Sequence, residues 1–314
     1  MRSRSRGNGL WAAALVLAAV TQTPRGRAHA EDEKAPKTTG WVETSKEEPA
    51  GTRYRTFHSK AVGGKASYLL YLPPDYEKKE DTRYPVVYWL HGLANDQRHG
   101  ADFVRRLDAA IKDGQAPPMI AVLANGRTHS LFCDSPDGKT PVESMIVKDL
   151  IPHVDQTYRT VDRRDARAAE GFSMGGFGAA HLGFKYPETF GLVSILAGSM
   201  HKAEDLAERH SELFRDAFGG DRKYFEKNSP WTLLDDNARA IRRQVRVRVV
   251  VGDEDGLYGG NKAFHERMDR REVDNDFEVV KGVGHDYQKL YDGMGDRAFS
   301  FYKKAFDMSG KSPG

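Results

Sequence analysis

Apolar residues along the chain fall into short blocks set between charged stretches. "SYLLYLP" (67–73), "PVVYWL" (85–90), "PMIAVLA" (118–124), "LVSILA" (192–197) and "VRVVV" (247–251) are nearly continuous apolar runs. Their length and their Pro or Gly boundaries are those of strands buried on both faces. "FEVVKG" (277–282) is a sixth candidate. Between the runs the period changes to that of a helix. In "VESMIVKDLIPHVDQTY" Ile146, Leu150, Ile151, Val154 and Tyr158 share one face, and in "AEDLAERHSELFRDAF" Leu206, Leu213, Phe214 and Phe218 do the same. "NKAFHERM" and "YDGMGDRAFSFYKKAF" follow. Strands alternating with helices predict an α/β fold, a mostly parallel central sheet with helices on both faces. The helical stretch from Ser199 to Arg243 is longer than one crossover requires, so it is expected to roof part of a pocket.

The ends of the chain carry a different pattern. Arg2, Arg4 and Arg6 precede an apolar run from Leu10 to Val20, which is too short to span a bilayer. Ala28-His29-Ala30 has the small-x-small form of a leader cleavage site, so residues 1–30 read as a signal peptide. That predicts a secreted or periplasmic protein with no stable membrane insertion after cleavage. Residues 31–52 are charged and lack apolar spacing, and read as a solvated lead-in. A single domain is expected over 53–308, with a flexible tail at 309–314.

Charge looks different once the leader is set aside. Its five arginines and no acids mean that a net +3 becomes −2 without it. Nucleic acid is then a poor partner. The single cysteine, Cys133, rules out an intrachain disulfide, and no activating base stands near it in sequence, so it reads as a bystander.

"GFSMGG" (171–176) supplies the first chemical candidate. G-x-S-x-G is a weak signal in a glycine-rich chain until a strand precedes it and a helix follows. "RAAE" (167–170) and "GGFGAAHLGFKYP" (175–187) supply both. Ser173 is therefore a candidate nucleophile on a strained turn, and a serine hydroxyl needs a base and an orienting acid. In this arrangement the chain order is Ser, Asp or Glu, then His. "VVVGDEDG" offers Asp255, with Asp253 in reserve, and "GVGHDY" offers His285, each just past a strand. His201, His210 and His265 read as helix-face residues. Backbone N–H groups of Leu93, after "YWLHG", and of Met174 are the expected oxyanion donors. His91 is expected to brace the first of these loops.

Together "YLPPDYEKKEDTRYPVVYWLHGLAND", "RAAEGFSMGGFGAAHLGFKYPETFGLVSILAGS", "VVVGDEDGLY" and "GVGHDY" resemble the esterase D-like family of α/β-hydrolases over about residues 55–306. That family includes feruloyl and acetyl-xylan esterases, S-formylglutathione hydrolases and mycolyltransferases. The resemblance implies the α/β-hydrolase fold, a serine esterase, and Ser173, Asp255 and His285 at the triad positions with Leu93 and Met174 at the oxyanion hole. Glu170 departs from the family's apolar or small residue before the motif and needs a buried partner, for which Arg127 or Arg167 is expected. A leader favours an ester carried by a small molecule or a polysaccharide, with carbohydrate acyl esters foremost. Arg127, His129 and Asp134, in a loop between a strand and a helix, are candidate substrate contacts. Trp41, Trp89 and Trp231 either stack on a sugar or pack. No cofactor and no metal site is expected. Transfer of the acyl group to a carbohydrate hydroxyl, and carbohydrate binding without catalysis, stand as alternatives.

Overall fold

The computed structural model describes residues 40–42 and 46–309. The expected signal peptide, most of the lead-in and residues 310–314 lie outside the described residues. Eight strands form one sheet: β1 (Arg53–Ser59), β2 (Gly64–Tyr71), β3 (Val86–Leu90), β4 (Ile120–Ala124), β5 (Arg167–Phe172), β6 (Leu192–Leu196), β7 (Arg246–Gly252) and β8 (Asn275–Val280). Their order is β1-β2-β4-β3-β5-β6-β7-β8. The β1/β2 and β2/β4 pairs are antiparallel and the other five are parallel.

Helices follow as α1 (Ala101–Lys112), α2 (Val142–Ser144), α3 (Ile151–Thr157), α4 (Met174–Lys185), α5 (Ala203–Arg209), α6 (Ser211–Phe218), α7 (Arg222–Asn228), α8 (Pro230–Gln244), α9 (Tyr258–Arg270), α10 (Tyr287–Met294) and α11 (Arg297–Ser309). A π-helical turn, Met145–Leu150, joins α2 to α3. The strands bury both faces because their side chains alternate. Val86, Tyr88 and Leu90 enter a core shared with α3, α4, α8 and α9, whereas Val87 and Trp89 enter a second core with α1, α10 and α11. This is the mostly parallel α/β architecture expected from the strand–helix alternation, and it matches the α/β-hydrolase fold that the family resemblance implies.

Three details differ from the sequence reading. Residues 291–306 are not one helix, because Gly295 adopts φ +52° and breaks the run into α10 and α11. The lead-in is not wholly solvated: the Trp41 carbonyl accepts bonds from Ser67 Oγ (2.9 Å) and Asn125 Nδ2 (3.2 Å), and its ring packs against the core. Glu170 pairs with neither Arg127 nor Arg167. It lies fully buried with Arg248 Nη2 at 2.8 Å, and Tyr302 and Tyr291 donate their hydroxyls to it. Sheet register explains this, since Glu170 lies opposite Ser194 and Ser194 opposite Arg248, a polar row across β5, β6 and β7. Arg248 Nε also donates to Ser194 Oγ at 3.0 Å. Arg167 instead binds Asp155 and Asp162.

Candidate active site

Ser173 sits between β5 and α4 with φ +58° and ψ −114°, a conformation that costs an L-residue free energy and is held by its surroundings. Its N–H donates to Leu196 O at 2.9 Å and its carbonyl accepts from Ser199 N at 3.0 Å. The flanking glycines are sterically required. A Cβ on Gly171 would lie 2.3 Å from Gly175 O, and one on Gly175 only 2.0 Å from Leu90 O. Strand, turn and helix therefore approach more closely than any side chain allows.

His285 Nε2 is 2.9 Å from Ser173 Oγ, and its Nδ1 is 2.8 Å from Asp255 Oδ2. A carboxylate only accepts, so Nδ1 carries the proton and the bare Nε2 faces the serine hydroxyl. Asp255 is buried, and its second oxygen accepts from Leu257 N at 2.8 Å. Asp253 does other work: it accepts from Gly282 N at 2.7 Å and pairs with Lys281. The loops bearing acid and imidazole touch at Gly252, where a Cβ would meet Val283 O at 1.9 Å. Phe172 stacks on the His285 ring at 4.6 Å, with Tyr287 behind it.

Leu93 and Met174 both line the serine cavity, and among the described residues neither backbone N–H has an acceptor. Met174 opens α4, where the first amides lack intrahelical partners and the helix dipole favours negative charge. His91 is fully buried. Its Nε2 accepts from Gly126 N (3.1 Å), so its Nδ1 must carry the proton and donates to Gly92 O at 2.9 Å. Burial lowers the pKa of this imidazole, which agrees with a neutral ring. Burial, and secondarily the His91 ring, push His99 down to about 4. His99 Nδ1 faces Gly92 N at 3.3 Å, and its carbonyl accepts from the Tyr287 hydroxyl at 2.9 Å.

The cavity is about 540 Å³, and His201, His210, Leu213 and Leu257 also line it. The segment after Ser199 does roof the pocket. Its two histidines, His201 and His210, are expected from sequence on helix faces, and the fold places them otherwise. They flank α5 rather than lie within it, and only the fold shows which way they face.

None of the three expected substrate contacts lines this cavity. Asp134 accepts from Ser144 N (2.9 Å) and Ser144 Oγ (2.6 Å) and so anchors the start of the α2–α3 segment. Arg127 lies over the Trp41 ring, and His129 Nδ1 is 3.1 Å from Asp216 Oδ2. These two line a separate groove of about 410 Å³. Trp89 is fully buried and Trp231 packs edge-on to Phe264, so neither offers a sugar platform. Cys133 is buried, which pushes its thiol well above the ordinary range. Among the described residues no cluster of His, Cys, Asp and Glu has three members placed to hold a metal. No described helix is long and apolar enough to cross a membrane.

Comparison with known proteins follows the same lines. A profile of the family described as "Putative esterase" matches residues 59–309. An endo-1,4-beta-xylanase/feruloyl esterase of Xylanibacter ruminicola is 30% identical over 163 residues, which is 49% of this chain and 22% of that protein. Esterase Rv1288 of Mycobacterium tuberculosis is 28% identical over 275 residues, 78% of this chain and 57% of that one. The chain thus spans about a fifth of the first relative and little more than half of the second. A solved ferulic acid esterase superposes with a TM-score of 0.69 at 25% identity, covering 81% of this chain and 98% of that one. An S-formylglutathione hydrolase from Staphylococcus aureus shares the fold, with a TM-score of 0.66 at 20% identity over 80% of this chain and 98% of its own. The family match over most of the chain and the shared architecture give one conclusion: this chain belongs to the Esterase family of α/β-hydrolases.

Proposed function

We propose that the protein is a serine carboxylic-ester hydrolase working through an acyl-enzyme, with Ser173, His285 and Asp255 as its catalytic residues. The observation that carries this reading is the unbroken line Ser173 Oγ–His285 Nε2 (2.9 Å) and His285 Nδ1–Asp255 Oδ2 (2.8 Å). Ser173 Oγ attacks the ester carbonyl while His285 Nε2 takes its proton. The carbonyl carbon becomes tetrahedral, and its oxyanion lies against the amides of Leu93 and Met174. Collapse expels the alcohol, which receives the proton from His285. Water then repeats the attack on the acyl-enzyme, His285 again serving as base, and the free acid leaves. Asp255 holds the ring in the Nδ1–H tautomer and stabilises the imidazolium formed at each step.

Acyl esters of carbohydrates are the proposed substrates. A 30% identical relative named as a xylanase/feruloyl esterase supports this, as does a cavity wide enough for more than an acetyl group. The leader-like residues 1–30 support action in a secreted or periplasmic setting. The test is labelling by a fluorophosphonate probe together with turnover of acetyl and feruloyl esters. Wild type is expected to label and turn over, and Ser173→Ala and His285→Ala to lose turnover while their circular dichroism is unchanged. Wild-type turnover in folded Ser173→Ala would overturn the assignment.

A further inference from the structure

The serine cavity holds four histidines: His99, His201, His210 and His285. Two are committed. His285 bonds through both ring nitrogens, and His99 Nδ1 faces Gly92 N. His201 and His210 differ. Among the described residues no hydrogen bond reaches either ring, and the aromatic neighbour of each is the other, with centroids 5.6 Å apart and planes at 54°. His201 is half-buried and His210 exposed, so both imidazoles border the cavity with their nitrogens open to a shared ligand. We propose that His201 and His210 form a two-nitrogen site for a late divalent transition ion such as Zn²⁺ or Cu²⁺, and that an ion held there obstructs the serine cavity.

The geometry fits the ion. With a metal–nitrogen distance near 2.1 Å, a metal lies about 3.2 Å from each ring centre, and a tetrahedral angle then separates the centres by ~5.2 Å. The observed 5.6 Å needs only a slight opening of that angle or a small rotamer adjustment. The two side chains come from opposite ends of α5, His201 ahead of its first turn and His210 at the α5–α6 junction, so the helix sets the span between them. An ordinary imidazole is already mostly neutral at pH 7, so both rings can ligate. Of the charged neighbours, Asp205 favours a cation beside His201 and Arg209 opposes one beside both rings. With no third protein ligand among the described residues, water completes the coordination. That makes the site exchangeable, unlike a closed structural zinc centre. Imidazole ligands select the late transition ions over Mg²⁺ and Ca²⁺, which prefer oxygen. Because both rings line the cavity that contains Ser173, the ion occupies space an ester needs.

The obstruction rests on the esterase reading, but metal binding does not, so the decisive measurement reads the metal. Zn²⁺ is titrated calorimetrically into untagged, metal-stripped Ser173→Ala protein at neutral pH. One ion per chain is expected, bound roughly tenfold or more weakly after His201→Ala or His210→Ala, with Mg²⁺ silent. Binding unchanged in the His201→Ala/His210→Ala double variant would overturn the site, as would binding lost in His285→Ala, which would move the ion to the serine–histidine pair. Should the alanine variants fail to fold, Cu²⁺ paramagnetic resonance of the parent is expected to show two imidazole nitrogens and His210→Gln one. A spectrum identical in both refutes the assignment. In the active enzyme, saturating Zn²⁺ is expected to suppress p-nitrophenyl acetate turnover, and full turnover with the ion bound would refute the obstruction.

Discussion

His91 never touches the cavity in which the serine lies, yet His91→Phe is expected to slow the chemistry. The imidazole Nδ1–H donates to Gly92 O at 2.9 Å, and that carbonyl belongs to the same peptide unit as the Leu93 N–H. The ring is held for this task by Gly126 N, 3.1 Å from Nε2, and by edge-on contact with Phe132 at 5.4 Å. Phenylalanine keeps the ring volume and removes both bonds. The Gly92 carbonyl retains only the longer bond from Asn95 N at 3.3 Å, so the peptide is freer to tilt. Complete loss of an oxyanion donor costs about 3 kcal/mol in the transition state. Loosening without loss is worth less, so kcat is expected to fall about 5- to 30-fold, corresponding to roughly 1–2 kcal/mol. KM should barely move, because the ground-state ester carbonyl makes little use of the hole. Affinity for a boronic acid that mimics the tetrahedral species should fall in parallel with kcat. Gly126 N–H is left buried and unpaired, a stability loss of about 1–3 kcal/mol that urea unfolding measures separately. A folded His91→Phe enzyme with kcat within twofold of wild type would refute this role.

Two further outcomes follow from the buried polar groups. Burial holds His99 near 4 against an ordinary 6.5, so between those values the unfolded chain takes up a proton that the folded protein refuses. Its contribution is therefore complete above about 6.5, declines as pH falls and levels off near 4, a loss on the order of 3 kcal/mol. Urea unfolding across that range should show a smaller slope in His99→Gln, and identical slopes would contradict it. Arg248→Met strands the Glu170 carboxylate and should cost about 3–5 kcal/mol in denaturant unfolding, whereas Glu170→Leu with Arg248→Met should cost far less. Equal losses in the single and double variants would show that the pair is not coupled.

Much of the architecture was legible because five core strands are buried on both faces and write themselves as unbroken apolar runs. β1 was not, since it is the sheet's edge strand: "RYRTFHS" buries only Phe57 and Ser59, and its period-two signal is diluted by charge. Ser173, Asp255 and His285 each follow a strand, which is why residues far apart in the chain meet by hydrogen bonds at one rim of the sheet. The partner of Glu170 was hidden for a different reason. Glu170, Ser194 and Arg248 are each a polar residue inside an otherwise apolar stretch, but only the register between strands shows that they form one row. Asp134 lies off the serine cavity and bonds Ser144, and a carboxylate that anchors a helix looks in sequence like one that meets a substrate. His201 and His210 line the cavity, and a histidine beside a helix gives no sign in sequence of which surface it will face.

The cavity's two halves are built differently. Ser173, His285, Asp255 and the amides of Leu93 and Met174 all stand at the carboxyl ends of strands or in the loops that follow, and those loops are tied together directly. Glu254 N bonds Val283 O, Ser199 N bonds Ser173 O, and the Tyr287 hydroxyl reaches His99 O beside the Leu93 loop. A displacement of any one loop therefore pulls on the others, as a site needs when a reacting atom must be held to within about half an ångström. His201, His210 and Leu213, which line the same cavity, belong to α5, α6 and the residues beside them, in the long connection between β6 and β7. Its attachments are mainly apolar, with Leu206, Leu213, Phe214 and Phe218 packed into the core. Apolar contacts are non-directional and tolerate repacking better than a hydrogen-bonded frame does. On the proposed mechanism, the groups that would react and the α5–α6 residues that line the same cavity can thus change independently.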